Sequence, residues 1–233
     1  MQTVIDVLQT LGVFLGGVLA RFGIVIAMVA IVAVPALLLA LAAHWVSVRR
    51  QRALGLHPVR GLVVREGARY APGHTWLAER RSGSLEIGID DLAQRLVPSV
   101  TAVELPRPGD SVRKGEILAT LHGGGRAVPI ASPISGRVVG VNASILRDPS
   151  LVKRDGYGKG WLVAVAAEGE EWSRLPAGTA AERWMGAESL RFSRFLEERL
   201  GLAAADGGEL VAPAPWLVGE EGWRALQAEF LTA

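Results

Sequence analysis

Pro108-Gly109-Asp110-Ser111-Val112-Arg113-Lys114-Gly115-Glu116 and Ser132-Pro133-Ile134-Ser135-Gly136-Arg137-Val138-Val139 are two half-motifs of one design, each placing a tight turn before a strand. Gly109 and Gly115 stand where such a turn needs backbone angles closed to residues with a Cβ, and Pro133 to Gly136 turns the chain into the next strand. Between the half-motifs, the apolar runs Ile117 to Leu121 and Val128 to Ala131 flank a run of glycines. This predicts a β-hairpin with its tip near Gly123 to Arg126. Outward from the hairpin, short apolar runs separated by turn residues fill Thr75 to Val165, the pattern of an all-β domain. Strands are predicted at Thr75 to Glu79, Ser84 to Ile89, Val100 to Glu104, Gly136 to Val141 and Trp161 to Ala166. Asp90 to Leu96 reads as a helix capped by Asp90.

The N-terminal part is different in kind. Phe22 to Val48 holds no Asp, Glu, Lys or Arg and is dominated by Ile, Val, Leu and Ala. As a helix it rises about 40 Å, more than the roughly 30 Å hydrocarbon layer, which predicts an uncleaved transmembrane helix with Pro35 as a tolerated kink. Arg49, Arg50 and Arg52 follow at once, whereas the other side offers Arg21 and the amino terminus against Asp6. The positive-inside rule then places everything after Val48 in the cytoplasm, on a single-pass protein of the inner (cytoplasmic) membrane. A cleavable signal peptide, hinted at by Ala40-Leu41-Ala42, is opposed by the length of the span and by those arginines. Val4 to Ala20 is also apolar, and Gly12 and Gly16 have the spacing that lets helices approach closely in lipid. That stretch either packs on another membrane helix or lies at the interface.

Residues 49–71 are basic, carry Gly55, Pro58, Gly61 and Gly67, and show no long period. They read as a juxtamembrane linker with a short strand at Gly61 to Arg65, its arginines able to touch anionic lipid. Beyond Val165 the period becomes helical. Thr179 and Glu182 form a candidate capping box, Met185, Phe192, Phe195, Leu196 and Leu200 share a face, and Gly201 is placed to end the helix. Leu202 to Pro215 reads as a linker to a short amphipathic helix on which Trp223, Leu226 and Phe230 share one face, either folded back on the domain or offered to a partner. The expected organisation is therefore an anchor at 1–48, a linker at 49–71, a β domain with its terminal helix at 72–200, and a linker with a short helix at 201–233.

Composition excludes several functions. Lys and Arg number 25 against 23 Asp and Glu, a net charge of +2 that is too small for a nucleic-acid groove. There is no cysteine, hence no thiol nucleophile or iron–sulfur ligand. His44, His57, His74 and His122 lack metal-ligand spacing, no paired carboxylates accompany His122, and the glycine run lacks the Lys-Ser/Thr of a phosphate loop.

The half-motifs resemble the biotinyl/lipoyl barrel-sandwich fold, and the flanks narrow the resemblance to the glycine cleavage system H protein. The residues that carry it are His74-Thr75-Trp76, Ile87-Gly88-Ile89-Asp90-Asp91-Leu92-Ala93-Gln94, Val103-Glu104-Leu105-Pro106, Val141-Asn142 and Asp155-Gly156-Tyr157-Gly158-Lys159-Gly160-Trp161-Leu162. Together they cover roughly Pro72 to Leu200. The resemblance implies a mainly-β, lipoyl-like barrel-sandwich hybrid domain with its terminal helix and says nothing about the membrane anchor or the last 30 residues. Joined to the apolar segment, the expected fold class is an N-terminal transmembrane helix followed by that domain with C-terminal helices. In that family a lysine at the hairpin tip carries lipoate, which shuttles an aminomethyl group and electrons among the enzymes of glycine decarboxylation. Ungapped alignment from Gly115-Glu116 to Pro133-Ile134-Ser135-Gly136 sets Gly125 at that lysine's position and Arg126 one residue beyond. Glycine has no amine, and a guanidinium forms no stable lipoyl amide. The lysines of the chain, Lys114, Lys153 and Lys159, fall elsewhere and read as solvated charges.

The resemblance and its altered site imply a non-catalytic, cofactor-free module tethered to the membrane, a docking or structural subunit of a membrane-associated complex of respiratory or redox type. The expected partners are membrane lipid and other subunits, not nucleic acid or a small-molecule substrate. Gly12, Gly16, His122, Arg126, Trp223, Leu226 and Phe230 are the contact candidates. Two alternatives remain at this point. A periplasmic efflux or secretion adaptor would need the opposite orientation and a long helical hairpin between the half-motifs; an active carrier would need lipoylation at an atypical lysine.

Overall fold

The computed structural model describes residues 2–201, 205–206, 209–210 and 218–231, and the chain divides into two compact units, Met1–Ala53 and Leu54–Ala233. The first unit is one helix, α1 (Gln2–Ala53), which runs unbroken through Arg21 and Pro35. Arginine is a good helix former, so a single charge changes the polarity of the stretch without ending the helix. Within it, the 32 residues Leu15–Val46, with a mean hydropathy of 3.0, are long and apolar enough to cross a membrane. Gly12 and Gly16 are exposed, with no atom within 4 Å of where a Cβ would stand.

The second unit runs in the order β1 (Leu56–Val59), β2 (Leu62–Arg65), β3 (Arg69–Ala71), β4 (Thr75–Glu79), β5 (Leu85–Ile89), α2 (Asp91–Leu96), β6 (Ala102–Glu104), β7 (Ser111–Val112), β8 (Ile117–Gly123), β9 (Arg126–Ala131) and β10 (Gly136–Val141). It continues with α3 (Ala143–Arg147), α4 (Leu151–Arg154), β11 (Val163–Ala167), α5 (Gly178–Leu200), β12 (Ala205–Asp206), β13 (Glu209–Leu210) and α6 (Glu220–Phe230). A six-stranded antiparallel sheet in the order β3-β4-β5-β11-β10-β7 and a three-stranded sheet β6-β8-β9 form the body. Both sheets are open, so the sandwich part of the expected fold is present without a closed barrel.

The two half-motifs lock onto each other. Strand β7 of the first pairs with β10 of the second through Val112↔Gly136 and Ser111↔Arg137. Gly109 N–H donates to the Val138 carbonyl at 2.7 Å and Gly115 N–H to that of Ser132 at 2.8 Å, while Ser132 N–H and Val138 N–H return bonds to Glu116 and Asp110. Each turn thus satisfies backbone groups of the other, which is why the pattern recurs in pairs. Trp76, Leu77, Ile87, Ile89, Leu118, Leu121, Val128 and Ile130 are fully buried around this crossing. Asp90 caps α2 as expected, accepting from Ala93 N–H at 3.0 Å. Between the half-motifs stands the β8–β9 hairpin in place of the helical hairpin that an adaptor requires.

Four expectations are corrected. Residues 54–71 are folded into the domain and are not a linker: Leu62, Val64, Ala68, Tyr70 and Ala71 are core residues, and β3 pairs with β4. The Tyr157 hydroxyl donates to the Val63 carbonyl at 2.7 Å and accepts from Asp91 N–H at 3.1 Å, tying this segment to α2. The capping box is absent. The N-cap of α5 is Ala177 with no side-chain cap bond, and Glu182 instead lies 2.9 Å from His57 Nε2, joining α5 to β1. Finally, Trp223, Leu226 and Phe230 are buried, so α6 folds back on the domain and its apolar face is not a partner surface. Phe230 meets Phe192 and Phe195 edge-on, with ring centroids 5.4 Å and 5.5 Å apart. Fourth, the expected linker Leu202 to Pro215 contains the paired two-residue strands β12 and β13, its remainder lying outside the described residues.

Candidate functional site

The tip of the β8–β9 hairpin is a two-residue loop. Gly123 pairs with Arg126, and the two residues between, Gly124 and Gly125, have φ of +58° and +75°. Positive φ at both positions is the pattern of a type I′ turn, whose twist matches that of the flanking strands. The base of the loop is pressed against the segment after α2. A Cβ on Gly123 would stand 1.6 Å from the Ser99 carbonyl oxygen, and one on Gly124 3.1 Å from Pro98 Cβ. At Gly125 a Cβ would meet nothing within 4 Å. Gly125 is thus the point of the tip from which a side chain would project freely.

The side chains beside it turn away from the tip. His122 Nε2 lies 2.9 Å from a Glu104 carboxylate oxygen on the neighbouring β6, and the His122 carbonyl accepts from Thr101 N–H at 2.7 Å. Arg126 reaches inward to α6: its guanidinium lies 4.7 Å over the Trp223 ring and donates to the Val218 carbonyl at 3.3 Å, with Glu220 3.7 Å away. Cation–π contact and a charged hydrogen bond together contribute on the order of 1–2 kcal/mol. Arg126→Ala is accordingly expected to loosen α6 from the domain. Amide hydrogen exchange should rise in 220–230 while β4 and β5 keep their protection; unchanged protection of α6 would show that the latch is idle.

Further along, α6 is held by a chain of charges that starts inside the core. His74, fully buried and held at φ +53° in the turn between β3 and β4, places Nδ1 2.8 Å from Asp90 Oδ2 and Nε2 3.3 Å from Glu188 Oε2. Arg191 binds Glu188 at 2.6 Å and Glu229 of α6 at 2.7 Å. Burial pushes the His74 pKa down, but the Asp90 and Glu188 carboxylates more than offset it and hold it at about 9. His74 thus supports the turn, and Trp76 behind it is a core residue.

The sequence profile of the glycine cleavage H-protein matches residues 68–187. A glycine cleavage system H protein of Shewanella sp. (strain ANA-3) is 38% identical over 102 residues, covering 44% of this chain and 79% of that protein. This chain belongs to the glycine cleavage H-protein family. Also similar are the probable glycine cleavage system H protein 2 of Sulfurisphaera tokodaii, 36% identical over 107 residues (46% of this chain, 72% of that protein), and a crystal structure of a glycine cleavage system H protein from Mycobacterium marinum. The latter is 29% identical and aligns with 46% of this chain and 90% of its own at a TM-score of 0.42.

For an H-protein-like domain, the tip does not fit a lipoyl group. Gly124 and Gly125 offer no amine, and the guanidinium of Arg126 is committed to α6. One lysine read as a solvated charge is instead half-buried and lies near the tip, where no local pattern placed it. Lys153, on α4, lines a cavity with Gly124 and Arg126, its ammonium donating to the Val97 carbonyl at 2.6 Å. Lysine 114 is elsewhere, beside Ser135 in the half-motif crossing. The partner of Arg126 was also hidden, since nothing local in the sequence links it to Trp223.

Proposed function

We propose that this chain is a membrane-tethered, non-lipoylated member of the H-protein family that acts as a docking or structural subunit of a membrane-associated complex, without catalysis or a bound cofactor of its own. The observation that carries this reading is the Gly124–Gly125 turn, an intact hairpin tip with no acylable amine. The domain around it keeps its core, its capped helix and its paired half-motifs, so the shape has been maintained where the carrier chemistry has not. Support for the tether comes from Leu15–Val46, and for a cytoplasmic domain from Arg49, Arg50 and Arg52. A tether raises the effective concentration of any partner in the same membrane, which makes modest affinity sufficient. Gly12, Gly16 and His122 are the residues from which such contacts would be built.

Chemical cross-linking in native membranes, followed by detergent extraction, tests this. The expected result is a complex in which one or more membrane subunits are recovered in fixed ratio with the chain. Recovery of the chain alone, or its release into the aqueous phase by alkaline carbonate, contradicts the reading.

A further inference from the structure

The cavity beside the hairpin tip has a volume of about 370 Å³. Arg95, Arg126 and Lys153 form its polar side, Val97 and Pro98 an apolar side, and Gly124 part of its rim. Among the described residues, three cations and no carboxylate line it. Two of the three are balanced from outside the cavity. Arg95 binds Asp91 at 3.0 Å and the Gly61 carbonyl at 2.6 Å, and Arg126 has the exposed Glu220 at 3.7 Å. Lys153 is different. Its ammonium bonds only the Val97 carbonyl among the described residues, and no carboxylate is within ion-pair distance. Burial lowers its pKa, the sign of a half-buried charge without a counter-charge.

An ammonium in that position has two hydrogens to spare and an electrostatic deficit that an oxyanion would fill, through short charge-assisted hydrogen bonds. We propose that this cavity binds a small oxyanion, a phosphate group carried on a ligand with a short apolar portion, Lys153 bonding the charge, Arg126 adding positive potential from its place against α6, and Val97 and Pro98 facing the apolar part. The site sits against the turn where Gly125 stands, and it is independent of whether the domain docks other proteins.

The probe is butyl phosphate, with inorganic phosphate alongside, titrated calorimetrically into the full chain in zwitterionic phosphatidylcholine nanodiscs. Saturable one-site binding is expected. Lys153→Gln should weaken it by about tenfold or more through loss of a charged hydrogen bond, and Lys159→Gln should leave it unchanged. A second readout is amine reactivity: bound butyl phosphate should protect Lys153 from acetic anhydride while Lys114 and Lys159 react as before. Repeating the titration in phosphatidylglycerol discs separates the two sources of the phosphate. Binding lost only there assigns the site to a lipid headgroup, and binding kept in both assigns it to a soluble phosphate ester. No saturable binding in the zwitterionic discs, or binding undiminished in Lys153→Gln, overturns the proposal.

Discussion

Gly125→Lys is expected to become lipoylated when it is produced together with a lipoate–protein ligase, while the unaltered chain stays at the mass of its sequence. The argument rests on the local geometry. A Cβ at 125 meets nothing within 4 Å, so a lysine there projects from the tip of the hairpin. Its backbone must stay at φ +75°, which costs an L-residue about 1–2 kcal/mol. That is tolerable against the roughly 5–15 kcal/mol stability of an ordinary domain. Arg126→Lys is the control. Its side chain leaves the tip for Trp223 and the Val218 carbonyl and is only 16% exposed, so an amine there should escape the ligase. Intact mass with peptide mapping reads both. A folded Gly125→Lys chain that remains unmodified would mean that the tip has lost more than an amine.

The second large effect belongs to His74. A folded-state pKa of about 9, above the 6.5 of an unfolded histidine, means that the folded chain holds this proton more tightly. The resulting stabilisation is fully present below pH 6.5 and is lost as the pH rises through 9. Denaturant unfolding should therefore show stability falling between pH 6.5 and 9 by a few kcal/mol, on the order set by a shift of this kind. His74→Ala should remove that slope. It should also lower stability at pH 6 by about 3–5 kcal/mol, because the buried Asp90 carboxylate loses its counter-charge. Parallel pH curves for the two chains would show that the buried pair does not titrate as its geometry implies.

Most of the β domain was legible because its turns are chemically marked. Gly109, Gly115 and Pro133 punctuate the strands, β8 to β10 are long enough to alternate, and Asp90 announces a helix in one residue. Of the first three strands only β2 was legible, as the short strand expected at Gly61 to Arg65, and it was placed in a linker for a physical reason. Strands β1 to β3 hold three or four residues each, too few for a period of two to register, and Arg60, Arg65 and Arg69 on them and their turn gave the segment the look of a linker. The burial of Leu62, Val64 and Tyr70 and the pairing of β3 with β4 show otherwise. The site divides in the same way. The glycine turn is local and could be placed from the strands around it. The Arg126 latch on Trp223, the pairing of His122 with Glu104 and the approach of Lys153 to the tip are made by distant segments, and no spacing rule reaches that far. The capping box failed because α5 already begins at Gly178, which puts Thr179 inside the helix instead of at its N-cap, and Glu182 lies beside His57.

The most direct test of the account is the intact mass of the native chain isolated from its own membranes, with every lysine-bearing peptide mapped. The account predicts the bare polypeptide mass, with Lys114, Lys153 and Lys159 all unacylated. A lipoyl or biotinyl group on any of the three would contradict it.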